Sequence, residues 1–140
     1  MGKDAFYYGK HFEDDIACYD YYVDVHESKK CTAEEKESEN MILFRDTSII
    51  AETSSYGIPF RIMVPQNTKN LLVAGRSVSV DREMHGSIRP MPACFAMGQA
   101  AGTAAALVSK QNILLEDLNI KKLKDILREN GACLSETIGI

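Results

Sequence analysis

Tryptophan is absent from the 140 residues, and cysteine is sparse, with four residues at 18, 31, 94 and 133. No two cysteines form a C-x-x-C pair. Their wide spacing fits neither a zinc site nor a small disulfide scaffold, so reduced thiols and a cytoplasmic location are expected. No apolar run approaches the roughly 20 residues needed to cross a bilayer, so no membrane span is expected. The opening MGKDAFYYGK has no apolar h-region, and no secretory signal is read from it. A strong positive charge is also lacking: the net charge is −4. Residues 1–55 hold 13 acidic and 6 basic side chains, and residues 56–140 hold 7 acidic and 10 basic. The basic excess of the second half suits an anionic ligand but is too small for a nucleic-acid footprint.

An apolar fraction of 45% is enough to build a core, and the length corresponds to one domain or part of one. Residues 17–26, ACYDYYVDVH, read as a strand rich in Tyr and Val. Residues 27–40, ESKKCTAEEKESEN, read as a solvated loop, and residues 41–53 hold two apolar runs that could pair as strands. Gly57 and Pro59 punctuate the next stretch. Residues 60–64, FRIMV, resume an extended pattern, and residues 66–70 read as a turn.

The most informative stretch is residues 70–107, NLLVAGRSVSVDREMHGSIRPMPACFAMGQAAGTAAAL. Residues 71–74 are apolar throughout, as expected of a strand covered on both faces. Gly75 stops that strand, and a polar loop runs on to Arg89. Pro90 and Pro92 stand where a helix starts, since the missing proline N–H costs nothing in the first turn. The helix is predicted over residues 91–109. Its interior is alanine and glycine, and Gly98 and Gly102 suggest close packing against a sheet or ligand. A last helix over residues 120–130 carries Ile120, Leu123, Ile126 and Leu127 on one face, with Gly131 as its stop.

A strand ending in glycine ahead of a helix N-terminus is a generic site for an anion or dipole, because free N–H groups and the positive helix end face the same space. Gly75 lets backbone approach a ligand closely, and Arg76 is placed to reach a phosphate or polar chain. The ordered set NLLVAGR, S-x-S, GSIR-x-MP and A-M-GQAAGTAAAL resembles the C-terminal signature of a bacterial family of FAD-dependent oxidoreductases. That family is related to fumarate reductase flavoproteins and to the glutathione-reductase-like fold with two dinucleotide-binding domains. FEDDIA with VDVH, YGIPFR with VP, and DILRENGACL agree with the flanks, so the resemblance spans residues 12–134.

The resemblance implies an α/β protein. Residues 1–65 would belong to a β-rich substrate-binding domain, and residues 66–140 would form the C-terminal part of a Rossmann-like FAD-binding domain. It implies FAD in the complete protein, with Ala74, Gly75 and Arg76 along the ribityl and pyrophosphate chain. The helix start at residues 89–93 would face the pyrimidine edge of the flavin. Because Pro90 and Pro92 cannot donate, Met91 and Ala93 are the donors there. Gly98 joins this cofactor-binding set. His85 becomes a candidate acid/base and Arg89 a candidate for an anionic substrate or anionic flavin. The bland readings are a loop histidine and a salt bridge within the loop. Arg61 is better read as the partner of an Asp or Glu. Cys94 reads as a buried inert thiol, and Asp81, Arg82 and Glu83 as a solvated turn.

One motif is missing. FAD binding in this fold begins with G-x-G-x-x-G, and glycines 2, 9, 57, 75, 86, 98, 102, 131 and 139 never make that spacing. The chain is therefore expected to start within the fold. Its expected partners are a small-molecule substrate and an N-terminal FAD-binding half, in the same or another chain. Self-association is expected where an apolar face stays open. The alternatives are a non-catalytic domain, or a module that binds a nucleotide or a subunit carrying the G-x-G-x-x-G half.

Overall fold

The computed structural model describes residues 1–23 and 55–134. The expected loop at 27–40, the expected strands at 41–53, His26 and Cys31 lie outside the described residues. Two strands form an antiparallel pair: β1, Asp15–Tyr19, and β2, Tyr56–Pro59. Ala17 faces Ile58, Cys18 faces Gly57 and Tyr19 faces Tyr56, with a bulge between Asp15 and Ala17. The strand expected over 17–26 thus begins earlier, and its assigned part ends at Tyr19. Every residue of β2 is buried. Gly57 is required there, because a Cβ would stand inside the Asp15 carboxylate.

A short helix α1, Asp4–Tyr7, precedes β1 and buries Ala5 and Phe6 against the core. After β2 the chain does not stay extended as residues 60–64 suggest. It winds into a 3₁₀ turn, Phe60–Met63. The cause is local. Asp14 accepts the Arg61 N–H at 2.9 Å and binds the Arg61 guanidinium, while its own carbonyl accepts the Phe60 N–H at 2.8 Å. Groups that a further strand would use are spent on Asp14. The expected turn at 66–70 is present, with Asn67 and Asn70 at positive φ of 58° and 52°.

Ala74 is extended, but no ladder forms on residues 71–74 among the described residues. One backbone bond ties them down, from Val73 N to Met63 O at 2.8 Å. Leu71 is 46% exposed, so the expectation of a strand covered on both faces is not met. Gly75 follows at φ +69° and opens a 3₁₀ turn, Gly75–Ser77.

The segment expected as a loop up to Arg89 holds a helix, α2, Arg82–Ile88. Asp81, read as part of a solvated turn, is its N-cap and accepts the Met84 N–H at 2.8 Å. The other carboxylate oxygen accepts the Lys3 N–H at 2.6 Å, which ties α1 to this corner.

Helix α3, Met91–Gln111, forms where expected and ends on Asn112 in the left-handed conformation. It buries Ala93, Met97, Ala100 and Ala104. Its opposite face is open. Met91 is 65% and Phe95 70% exposed, and nothing among the described residues lies within 4 Å of a Cβ built on Gly98 or Gly102. The close packing expected of those two glycines is absent here. By length and composition α3 is long and apolar enough to cross a bilayer, a test that the core helix of a globular domain also passes. Helix α4, Ile120–Glu129, is capped by Asn119, which accepts the Lys122 N–H at 3.0 Å. Leu123 and Leu127 enter the core and Gly131 closes the helix at φ +83°. Helices and a small antiparallel sheet thus share one core, an arrangement compatible with part of an α/β domain.

Candidate functional site at the start of helix α3

The site is built where the Gly75 turn, the end of α2 and the first turn of α3 meet. Gly75 sits at a φ that L side chains rarely adopt, and the only described atoms within 4 Å of its Cβ position belong to the Cys94 side chain. The turn therefore places backbone directly beside α3. Arg76 follows, and its Nε donates to the Arg89 carbonyl at 3.3 Å. The Cys94 thiol donates weakly to the same carbonyl at 3.4 Å. His85 Nε2 lies 3.1 Å from the Arg76 carbonyl. A carbonyl only accepts, so Nε2 carries the proton and Nδ1 is left as the acceptor of the neutral ring.

Gly75, Arg76, His85, Arg89 and Cys94, scattered over twenty residues, thus form one hydrogen-bonded corner. Met91 and Ala93 open the adjoining helix, with Met91 exposed and Ala93 fully buried. Ala74 lies half-buried against the core, one residue before the turn. Gly98 stands apart. It is seven residues beyond Met91, about 10 Å along the axis, on the open face.

No side chain caps the N-terminus of α3. Pro90 and Pro92 have no N–H, and the Cys94 N–H is used on the Pro90 carbonyl at 3.2 Å. The Met91 N–H is the remaining donor of this turn, since the Ala93 N–H faces the Tyr19 hydroxyl. A 21-residue helix carries the full partial positive charge at this end, and the Arg76 guanidinium stands on the adjoining corner. A positive helix end, a backbone turn free of Cβ and the Arg76 guanidinium fit an anionic ligand such as a phosphate.

Sequence reasoning missed Tyr19. It closes β1, half-buried, with its hydroxyl facing the Ala93 N–H. Burial pushes this phenol above its usual pKa. The Ala93 bond acts in the opposite direction, and nearby Cys94 adds to the rise. The available signal was the period-two spacing of Tyr19 and Tyr21, which puts both on one face of an extended chain.

The Arg61 expectation is met: it pairs with Asp14 outside this corner. Burial alone would raise the Asp14 pKa, but the Arg61 bonds outweigh it and hold the carboxyl below its ordinary value. A cleft of about 430 Å³ between α4 and Glu13–Asp14 shares no residue with the Gly75 corner. Its charges are largely satisfied at home: Lys124 donates to the Glu13 carbonyl at 3.1 Å and Arg128 pairs with Asp125 at 2.9 Å. Among the described residues no three metal-ligating side chains come together.

Comparison with known proteins gives one match. The family model of FAD-dependent oxidoreductases matches residues 1–127. No curated protein and no solved structure matches the chain. With nearly its whole length matched, and with a corner suited to a phosphate-bearing ligand, the chain belongs to the family of FAD-dependent oxidoreductases, whose complete members use FAD.

Proposed function

We propose that this chain supplies the flavin-facing, C-terminal part of an FAD-dependent oxidoreductase. Residues 66–140 then belong to its FAD-binding domain and residues 1–65 to its substrate-binding side. The observation that carries the reading is the convergence of Gly75, Arg76, His85 and Arg89 on the uncapped start of α3.

Bound FAD supplies hydride or electron transfer. The residues of this chain do the positioning. Gly75 admits backbone to the cofactor's chain, and Arg76 offers charge to its phosphates. The start of α3, through the Met91 N–H and the positive helix end, stabilises negative charge on the ring. His85, fixed through Nε2, keeps Nδ1 for taking or giving a proton, and Arg89 binds an anionic group of the substrate. The G-x-G-x-x-G half comes from the same or another chain.

The test is Gly75→Val in the complete flavoprotein. A branched residue at φ +69° distorts the turn, so FAD is lost while the rest of the fold persists. A folded variant with full flavin content removes Gly75 from the site.

A second reading, a module that works only against a partner carrying the missing half, is favoured by the open apolar face of α3 around Met91 and Phe95. Purification of the chain alone separates the two. A stoichiometric yellow flavoprotein rules out dependence on a partner.

A further inference from the structure

Cys18 and Cys133 are far apart in the sequence but joined through their backbones: the Cys18 N–H donates to the Cys133 carbonyl at 3.0 Å. A bond of this kind sets two Cα atoms about 5–6 Å apart, within the roughly 4.4–6.8 Å that a disulfide spans. Both thiols are free, Cys133 exposed and Cys18 partly so. Opposite Cys18 in the strand pair stands Gly57, which has no side chain to lay over it.

Neither backbone is loose. Cys18 lies within β1, which pairs with β2. Cys133 is held between Ala132, whose N–H donates to the Leu127 carbonyl at 2.9 Å, and Leu134, whose side chain is wholly buried. Cys94, by contrast, donates its thiol to the Arg89 carbonyl at 3.4 Å, in the Gly75 corner. Burial raises the Cys18 thiol above its ordinary pKa, and nearby Cys133 adds to the rise. Cys18 thus stays protonated at neutral pH, and exposed Cys133 is the thiol that meets an oxidant first.

We propose that Cys18 and Cys133 form a reversible redox pair, oxidised by hydrogen peroxide to a disulfide that pins the segment after α4 to β1. In the first step the Cys133 sulfur attacks the peroxide O–O bond and becomes a sulfenic acid, and one water leaves. In the second the Cys18 sulfur attacks the Cys133 sulfur. The S–S bond forms, and the sulfenic hydroxyl leaves with the Cys18 proton as a second water. Two electrons and two protons pass from the thiols to the peroxide, and an external dithiol returns them. The pair owes nothing to where FAD binds.

The test treats the dilute 140-residue chain with hydrogen peroxide, blocks the remaining thiols and maps the digest by mass spectrometry. The expected product is a peptide pair joined at Cys18 and Cys133, two hydrogens lighter than the separate peptides, which dithiothreitol parts. The oxidised chain is expected to melt about 5 °C or more above the reduced one, because the link constrains the unfolded chain. Cys133→Ser should abolish the link and the added stability, whereas Cys31→Ser should keep both. A Cys18 that stays free while Cys133 goes on to sulfinic acid overturns the proposal. So does a link made to Cys31 or between two chains, or an oxidised chain that melts no higher than the reduced one. The wild-type chain alone decides these outcomes, whether or not a variant folds.

Discussion

His85 Nε2 stands 3.1 Å from the carbonyl oxygen of Arg76, bridging α2 to the Gly75 turn. One ring nitrogen thus shapes the corner, and the proposed function gives the other the proton to move. Glutamine can keep the first role through its amide N–H but cannot perform the second. His85→Gln in the complete enzyme is therefore expected to lower turnover by roughly 10²–10⁴-fold, the usual range for general acid–base catalysis. FAD content should barely change. Arg89→Met should instead raise the KM for an anionic substrate. Steady-state kinetics beside flavin absorbance check both. Losses that follow thermal stability rather than chemistry would reduce the two residues to loop supports.

The helices and turns of this region were legible in the sequence because their signals are local. Pro90 and Pro92 opened α3, Gly131 closed α4, and asparagines marked the 66–70 turn. The sequence expectation brought Gly75, Arg76, His85 and Arg89 together along one strand–loop–helix unit; they do meet, but residues 71–74 form no strand among the described residues and the loop holds α2. What escaped notice depended on distant partners. Helix α2 exists because Asp81 caps it while also holding Lys3, and residues 82–88 alone, with glycine inside, look like a loop. The turn at Phe60–Met63 depends on Asp14, 47 positions earlier. Tyr19 comes beside α3 because β1, paired with β2, packs against that helix.

Gly57 illustrates a packing constraint that no motif announces. Asp15 is wholly buried, its Oδ2 accepting the Phe12 N–H at 2.9 Å and the His11 Nδ1–H at 3.2 Å. The space that a Cβ on Gly57 needs is filled by this carboxylate. Gly57→Ala must displace a buried charged group as well as overpack the strand pair. A loss of about 3 kcal/mol is expected, at the upper end for overpacking. Urea unfolding of the variant against wild type measures it, and a loss under about 1 kcal/mol would show that Asp15 can move aside.

Asp14 and Asp15 are neighbours with opposite pH behaviour. The Asp14 pKa is lowered from 3.8, so its contribution to stability is present above that value and is lost as pH falls through the lower folded pKa. The Asp15 pKa is raised, chiefly by burial and against the bonds from Phe12 and His11. Its contribution is present below the unfolded value and disappears as pH rises through the folded pKa. Arg61→Gln removes the guanidinium that outweighs Asp14 burial. The variant is expected to lose about 0.5–1 kcal/mol near neutral pH, a modest figure because the Arg61 side chain is 64% exposed and screened. The deficit should shrink below pH 3.8, where Asp14 in the unfolded chain is protonated. Unfolding curves at several pH values test this, and a deficit independent of pH would assign the loss to the packing of Arg61 over the Phe12 ring, 5.2 Å away.

The open face of α3 makes a prediction about the chain by itself. Met91 and Phe95 lie one turn apart and are mostly exposed, while Gly98 and Gly102 continue the same face without a neighbour. Burial of apolar surface is worth about 25 cal/mol per Å², so two large side chains on a flat, small-residue face favour contact with another apolar surface. The 140-residue chain, purified alone, is expected to be colourless, to bind an apolar dye and to self-associate at high concentration. Phe95→Ser should weaken dye binding and association together. It should leave the fold intact, because Phe95 contributes little to the buried side of α3, which is formed by Ala93, Met97, Ala100 and Ala104. Sedimentation and dye fluorescence across a concentration series decide the matter. A wild-type chain that stays monomeric and dye-free would mean that this face is already covered within the chain, and Phe95→Ser would then lower stability instead of association.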